Sequence, residues 1–149
     1  MISFRERDVW LAIKSTLEAT SAFDNVYIAE GESNHKPEDV RSVEIQPHDG
    51  TQHDEWDDTN SPLQVEARLQ LMFFASDPDA LTRDALCERL FNIAQDALNG
   101  QSLGGLTLPG LTRFISWRWG PIEPPNRRLT ALLKFAYLTD TWAGFDTTE

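Results

Sequence analysis

His48, Asp49, His53, Asp54, Glu55, Asp57 and Asp58 form the densest run of metal-ligand side-chain types in the sequence. A metal-dependent nuclease would need carboxylates of this kind fixed around a cation. The spacing argues against it. His48 and His53 are five residues apart with no helical pattern to bring them together. The acids also lack the alternating ligands and the glycine of a calcium loop. Residues 46–62 hold Trp56 as their only large apolar side chain. The expectation is a mobile, solvated acidic loop over about 46–62, with Asp49, Asp54, Glu55, Asp57 and Asp58 as its charges and no metal site.

The other candidates for chemistry are as sparse. Cys87 sits in an amphipathic helical pattern, where a buried and inert thiol is expected. His35 stands in a polar stretch beside Lys36. Gly104-Gly105 precedes a strand pattern and not a helix, so it does not make a phosphate cradle. Gly-x-Ser-x-Gly is absent, and the adjacent carboxylates of Asp57 and Asp58 lie where no low-dielectric pocket could separate their pKa values. These residues predict no catalytic group and no cofactor. What remains is Trp117, Trp119 and Trp142, with Arg127-Arg128 opening the last strand pattern. Aromatic residues on strands serve the core first, yet Trp and Arg are also the types enriched at binding hot spots. Trp117, Trp119, Arg127 and Arg128 are therefore the expected subunit or partner interface, with neither guanidinium buried in the core.

The elements that would position them can be read from periodicity. Ser3 and Glu6 have capping-box spacing, and Phe4, Trp10, Ile13 and Leu17 recur at helical intervals, which predicts a helix over about 3–20. Val26–Ala29 and Val43–Ile45 read as short strands. From Leu63 to Phe73, Leu63, Val65, Ala67, Leu69, Leu71 and Phe73 alternate with polar residues, the mark of a long strand with one wet face. Asp77 and Pro78 open a second helix that would bury Leu81, Leu86, Leu90, Ile93, Ala97 and Leu98, and Asn99-Gly100 closes it. Strands over 111–119 and 127–142 then read as an antiparallel hairpin, with Ile115, Trp117 and Trp119 on one face and Phe114, Ser116 and Arg118 on the other. The predicted fold is α+β: a mostly antiparallel sheet of about five strands, two helices packed on one face, and a single domain over 1–149.

Composition agrees with a globular chain of 149 residues, 40% hydrophobic and with five Trp. One cysteine excludes an internal disulfide. There is no leading basic-plus-apolar segment and no apolar run of about 20 residues, so the sequence reads as cytoplasmic and not membrane-bound. Twenty-four acids against thirteen bases give a net charge of −11, which disfavours tight binding to a phosphate backbone.

From Gln64 to Trp142 the sequence resembles the tail terminator (tail completion) proteins of long-tailed bacteriophages. The resemblance lies in the strand VEARLQLMFFAS, the helix LCERLFNIAQDALNG with its Gly-rich link, and the closing pair LTRFISWRWGP and RRLTALLKFAYLTDT. It covers a little over half of the chain and rests on pattern. It implies a structural assembly protein that caps the tail tube as a homohexameric ring, whose subunits can stay monomeric until they meet the tube. Such a ring stops polymerisation of the tube protein and presents the joining surface to the head or neck connector. It also implies residence in the host cytoplasm during assembly and then in the virion tail, with DNA passing through without specific binding and no cofactor. The alternatives are a neck (head–tail connector) protein, a small soluble binding module and, last, the metal-dependent nuclease.

Overall fold

The computed structural model describes residues 2–29, 39–52, 63–139 and 145–147. Strand β1 (Ile2–Phe4) runs directly into helix α1 (Arg5–Ala19), followed by β2 (Asn25–Ile28), β3 (Arg41–Gln52) and β4 (Leu63–Ser76). Helix α2 (Ala80–Leu98) comes next, then a 3-10 turn at Pro109–Leu111 and strands β5 (Arg113–Trp119), β6 (Asn126–Thr139) and β7 (Phe145–Thr147). Five strands form the main sheet in the order β2-β3-β4-β6-β5, antiparallel except for the parallel β2–β3 pair. β1 and β7 form a separate two-stranded ladder. This is the expected α+β fold.

Its core follows the two periodicities of the sequence. Val65, Ala67, Leu69, Leu71 and Phe73 point inward from β4 and pair with Tyr137, Phe135, Leu133, Ala131 and Leu129 of β6, all buried. Val9, Ile13 and Leu17 of α1, together with Cys87, Leu90, Ala94 and Leu98 of α2, close over this face. Burying large aliphatic or aromatic side chains contributes about 1.5–3 kcal/mol each, so this layer dominates stability.

Several expectations at element ends are corrected. Ser3 is not a helix cap, because its backbone pairs with Asp146 in the β1–β7 ladder and α1 begins at Arg5. Helix α2 is capped by Asp79 and not by Asp77, with the Asp79 side chain accepting the Thr82 N–H at 2.9 Å. The apolar stripe of α2 holds at Leu90 and Leu98, with Leu86 and Ala97 partly buried against the core, but Cys87, Phe91 and Ala94 complete it and Leu81 is 81% exposed. Asn99 and Gly100 close α2 as expected, with Gly100 at φ 75°, a conformation that only glycine adopts without strain. β6 ends at Thr139, and Trp142 lies outside the described residues.

The acidic stretch is the largest correction. β3 continues past Ile45 through Pro47 and Asp49 to Gln52, so residues 46–52 belong to the sheet. A bulge between Pro47 and Asp49 lets the strand absorb the proline and re-pair, Asp49 opposite Arg68 and Gln52 opposite Val65. Asp54, Glu55, Asp57 and Asp58 lie outside the described residues.

Candidate interaction surface

β5 is an outer strand of the main sheet, and α2 packs beside it. Its residues do not simply alternate. Phe114 pairs with Leu133 but Ser116 pairs with Leu132, so Ile115 is an extra residue in a bulge. Before the bulge Phe114 faces the helices, and after it Trp117 and Trp119 do, opposite Ala131 and Leu129. The expected split between Phe114 and the two tryptophans is thereby overturned. All three belong to the helix-facing side, while Ile115 is left 41% exposed.

These aromatics meet Phe91 of α2. Its ring stands edge-on to Phe114 at 5.3 Å and lies 5.6 Å from Phe73 and 5.9 Å from Trp117. Tilted and edge-to-face pairs at such distances are favourable beyond their buried area. Trp117 is the outermost member and remains 62% exposed. With Phe91, Trp119, Leu129, Glu88, Asn92 and Gln95 it lines an open groove of about 310 Å³. Asn99 ties the strand down from the helix side, since its Oδ1 accepts the Phe114 N–H at 2.9 Å.

Of the four expected interface residues, the structure brings three together. Trp117 and Trp119 share the groove, and the Arg127 guanidinium lies over Trp119 at 4.5 Å from the ring centroid. Arg127 Nη1 donates to the Gly120 carbonyl at 3.1 Å, and Nε is 3.3 Å from Asp84 Oδ1, an ion pair without hydrogen-bond alignment. The Arg127 side chain is only 13% exposed, so the expectation that neither guanidinium would be buried fails for Arg127. The cause is α2, which places a carboxylate directly over the strand. Arg128, one residue later, points to the opposite face of the sheet, where it sits beside Gly120.

The remaining candidates are dispersed. Burial pushes the Cys87 thiol up to about 12, and the sulfur faces the carbonyls of Phe73 and Arg127. His48 is exposed on the sheet face away from the helices, beside Gln70, Ser116 and Thr130. Among the described residues no group of three or more His, Cys, Asp or Glu is arranged to hold a metal ion. Sequence reasoning missed Phe91, Asp84 and Glu88. Asp84, Glu88, Asn92 and Asp96 fall in an i, i+4 series, and that spacing was the available signal for an acidic flank on α2.

No family model matches the chain, and no curated protein matches it. Among solved structures, one chain of the structure described as "Virion of native gene transfer agent (GTA) particle" aligns with a TM-score of 0.54 at 17% identity, covering 85% of this chain and 85% of that one. The protein thus shares its fold with a chain of a gene transfer agent virion particle.

Proposed function

We propose that this chain is a structural protein of a phage-like particle and, within it, a tail terminator. It is a ring subunit, hexameric when assembled, that caps the tail tube, stops its growth and presents the joining surface to the head or neck. The fold shared with a virion chain over 85% of both chains carries this reading. The resemblance of residues 64–142 to tail terminators supports it, as does the half-open aromatic groove on an outer strand.

The physics of the groove suits docking. Trp117 is 62% exposed beside a rigid cluster of Phe91, Phe114 and Trp119, so a partner covering it gains apolar contact without reordering the site. Removing the exposed part of one Trp from water stabilises a contact by about 3 kcal/mol. In a ring the same contact recurs at every interface. The partners in this reading are further copies, the tube protein and a neck connector, with no catalysis, no cofactor and no specific hold on DNA. No helix among the described residues is long and apolar enough to cross a membrane. The place of action in this reading is the host cytoplasm during assembly, and the virion tail afterwards.

Electron microscopy of assembling tube subunits, with and without this protein, tests the proposal. Shorter tubes with added density at one end are expected. Unchanged tube lengths with bare ends would sink the terminator role, and binding to connector rings alone would assign the chain to the neck.

A further inference from the structure

The sheet face turned away from the helices and the flank of α2 beside β5 carry opposite charge. On the face away from the helices, register sets Arg68, Lys134 and Arg113 side by side across β4, β6 and β5, with Arg118 and Arg128 farther along the same face. Neighbouring strands lie about 4.8 Å apart, and like charges directly opposite one another destabilise a ladder. Glu66 answers Lys134 at 3.4 Å. Arg113, Arg118 and Arg128 make no ion pair and no side-chain hydrogen bond among the described residues. The acids at strand positions of this face are Glu44, Asp49 (at the register position opposite Arg68) and Glu66, so Arg68, Arg113, Arg118, Arg128 and Lys134 outnumber them in a chain whose net charge is −11.

The flank of α2 beside β5 has the other sign. Asp84, Glu88 and Asp96 fall on one stripe, and like charges four residues apart cost helix stability. Asp84 has Arg127, whereas Glu88 and Asp96 make no ion pair among the described residues. Glu88 borders the groove in which Trp117 is exposed.

We propose that these surfaces are two halves of one interface. The α2 flank and Trp117 of one copy seat on the basic sheet face of the next copy of this chain. The inference rests on the ring reading and names the faces that form the ring. The occupant follows from charge. Two copies that each carry −11 repel at long range, so association needs patches of opposite sign, and the chain supplies both on opposite sides of β5. Contact of one face with a different face is heterologous, the geometry that generates a closed ring or a filament and not an isolated dimer. Trp117 provides the apolar centre and the charged residues provide orientation. A duplex DNA would meet the same repulsive net charge with no acidic flank to match, which makes it the weaker occupant.

Two charge-reversed variants test the interface: Arg113→Glu with Arg118→Glu on the sheet, and Glu88→Arg with Asp96→Arg on the helix. All four positions are exposed, and circular dichroism checks that both variants fold. Sedimentation should show self-association of the parent that weakens with salt, and about tenfold or greater weakening in each variant alone. An equimolar mixture of the variants should recover association, because the reversed sheet face of one now matches the reversed helix flank of the other. A mixture no heavier than its separate components overturns the proposal. So does parent binding to a short DNA duplex that the sheet variant loses and the helix variant keeps. Tube capping separates this inference from the ring reading. Variants that each cap like the parent sink the interface alone, whereas a mixture that associates but leaves tubes uncapped supports the interface and sinks the terminator role.

Discussion

Arg127 places its guanidinium 4.5 Å from the centre of the Trp119 ring while its Nε stays 3.3 Å from Asp84 on the helix above. This one side chain joins β6, β5 and α2, so it acts as a clamp on the outer strand. Replacing Arg127 with Ala should lower stability by about 2 kcal/mol, from the lost charged hydrogen bond to Gly120 and the loss of contact with the ring. Arg127→Lys should recover only part, since an ammonium cannot serve carboxylate, carbonyl and ring together. Arg128→Ala should change stability by about 0.5 kcal/mol or less. Urea denaturation of the three variants measures this, and equal losses at 127 and 128 would contradict the clamp.

Phe91 and Trp117 should separate folding from docking. Phe91 is buried against Phe73 and Phe114, so Phe91→Ala should cost about 3–5 kcal/mol through the cavity it leaves. Trp117→Ala, at a mostly exposed position, should leave the melting temperature nearly unchanged and weaken assembly instead. Melting curves alongside tube-capping assays distinguish the two effects, and a Trp117 variant that melts early would make the residue a core member.

Cys87 should be silent toward thiol reagents in the folded protein. It is buried, and desolvation holds its pKa near 12, so the thiolate that reacts is absent at neutral pH. Labelling by iodoacetamide should appear only as denaturant unfolds the chain. Rapid labelling of the native protein would mean that α2 opens away from the sheet.

Acid should weaken two local anchors. Hydrogen bonds from the Thr82 hydroxyl and N–H hold the Asp79 carboxyl below its ordinary value of 3.8. Burial pushes the Asp24 carboxyl up, but the N–H groups of Val40 and Arg41 and the Arg41 guanidinium outweigh it and hold it below 3.8 as well. A depressed folded pKa means that the ionised form stabilises the fold. The contribution is present above pH 3.8 and is lost as pH falls through the folded values. The gap in melting temperature between the parent and an Asp79→Ala or Asp24→Ala variant should therefore be widest above that pH and shrink below it. A gap that stays constant into acid would assign the effect to packing.

Much of the fold was legible in local pattern, because a strand exposes its side-chain period and a helix its stripe without reference to any partner. The alternation of β4 from Leu63 to Phe73, the closing Asn99-Gly100 of α2 and the β5–β6 hairpin all follow from residues within a few positions of one another. The candidate site did not, for three physical reasons. A bulge at Ile115 shifts the period by one, and only the pairing of Phe114 with Leu133 and Ser116 with Leu132 reveals that Phe114 and Trp117 face the same way. Arg127 and Arg128 are identical in type and adjacent, and their different fates depend on Asp84, forty-three residues earlier, arriving over one face alone. Polar content made residues 46–52 read as loop, yet β4 offers them a ladder that outweighs their weak strand propensity. Net charge is a sum that composition settles. Where that charge lies is decided by strand register, which sends Arg113, Arg118, Arg128 and Lys134 to the sheet face opposite the helix that carries Glu88 and Asp96.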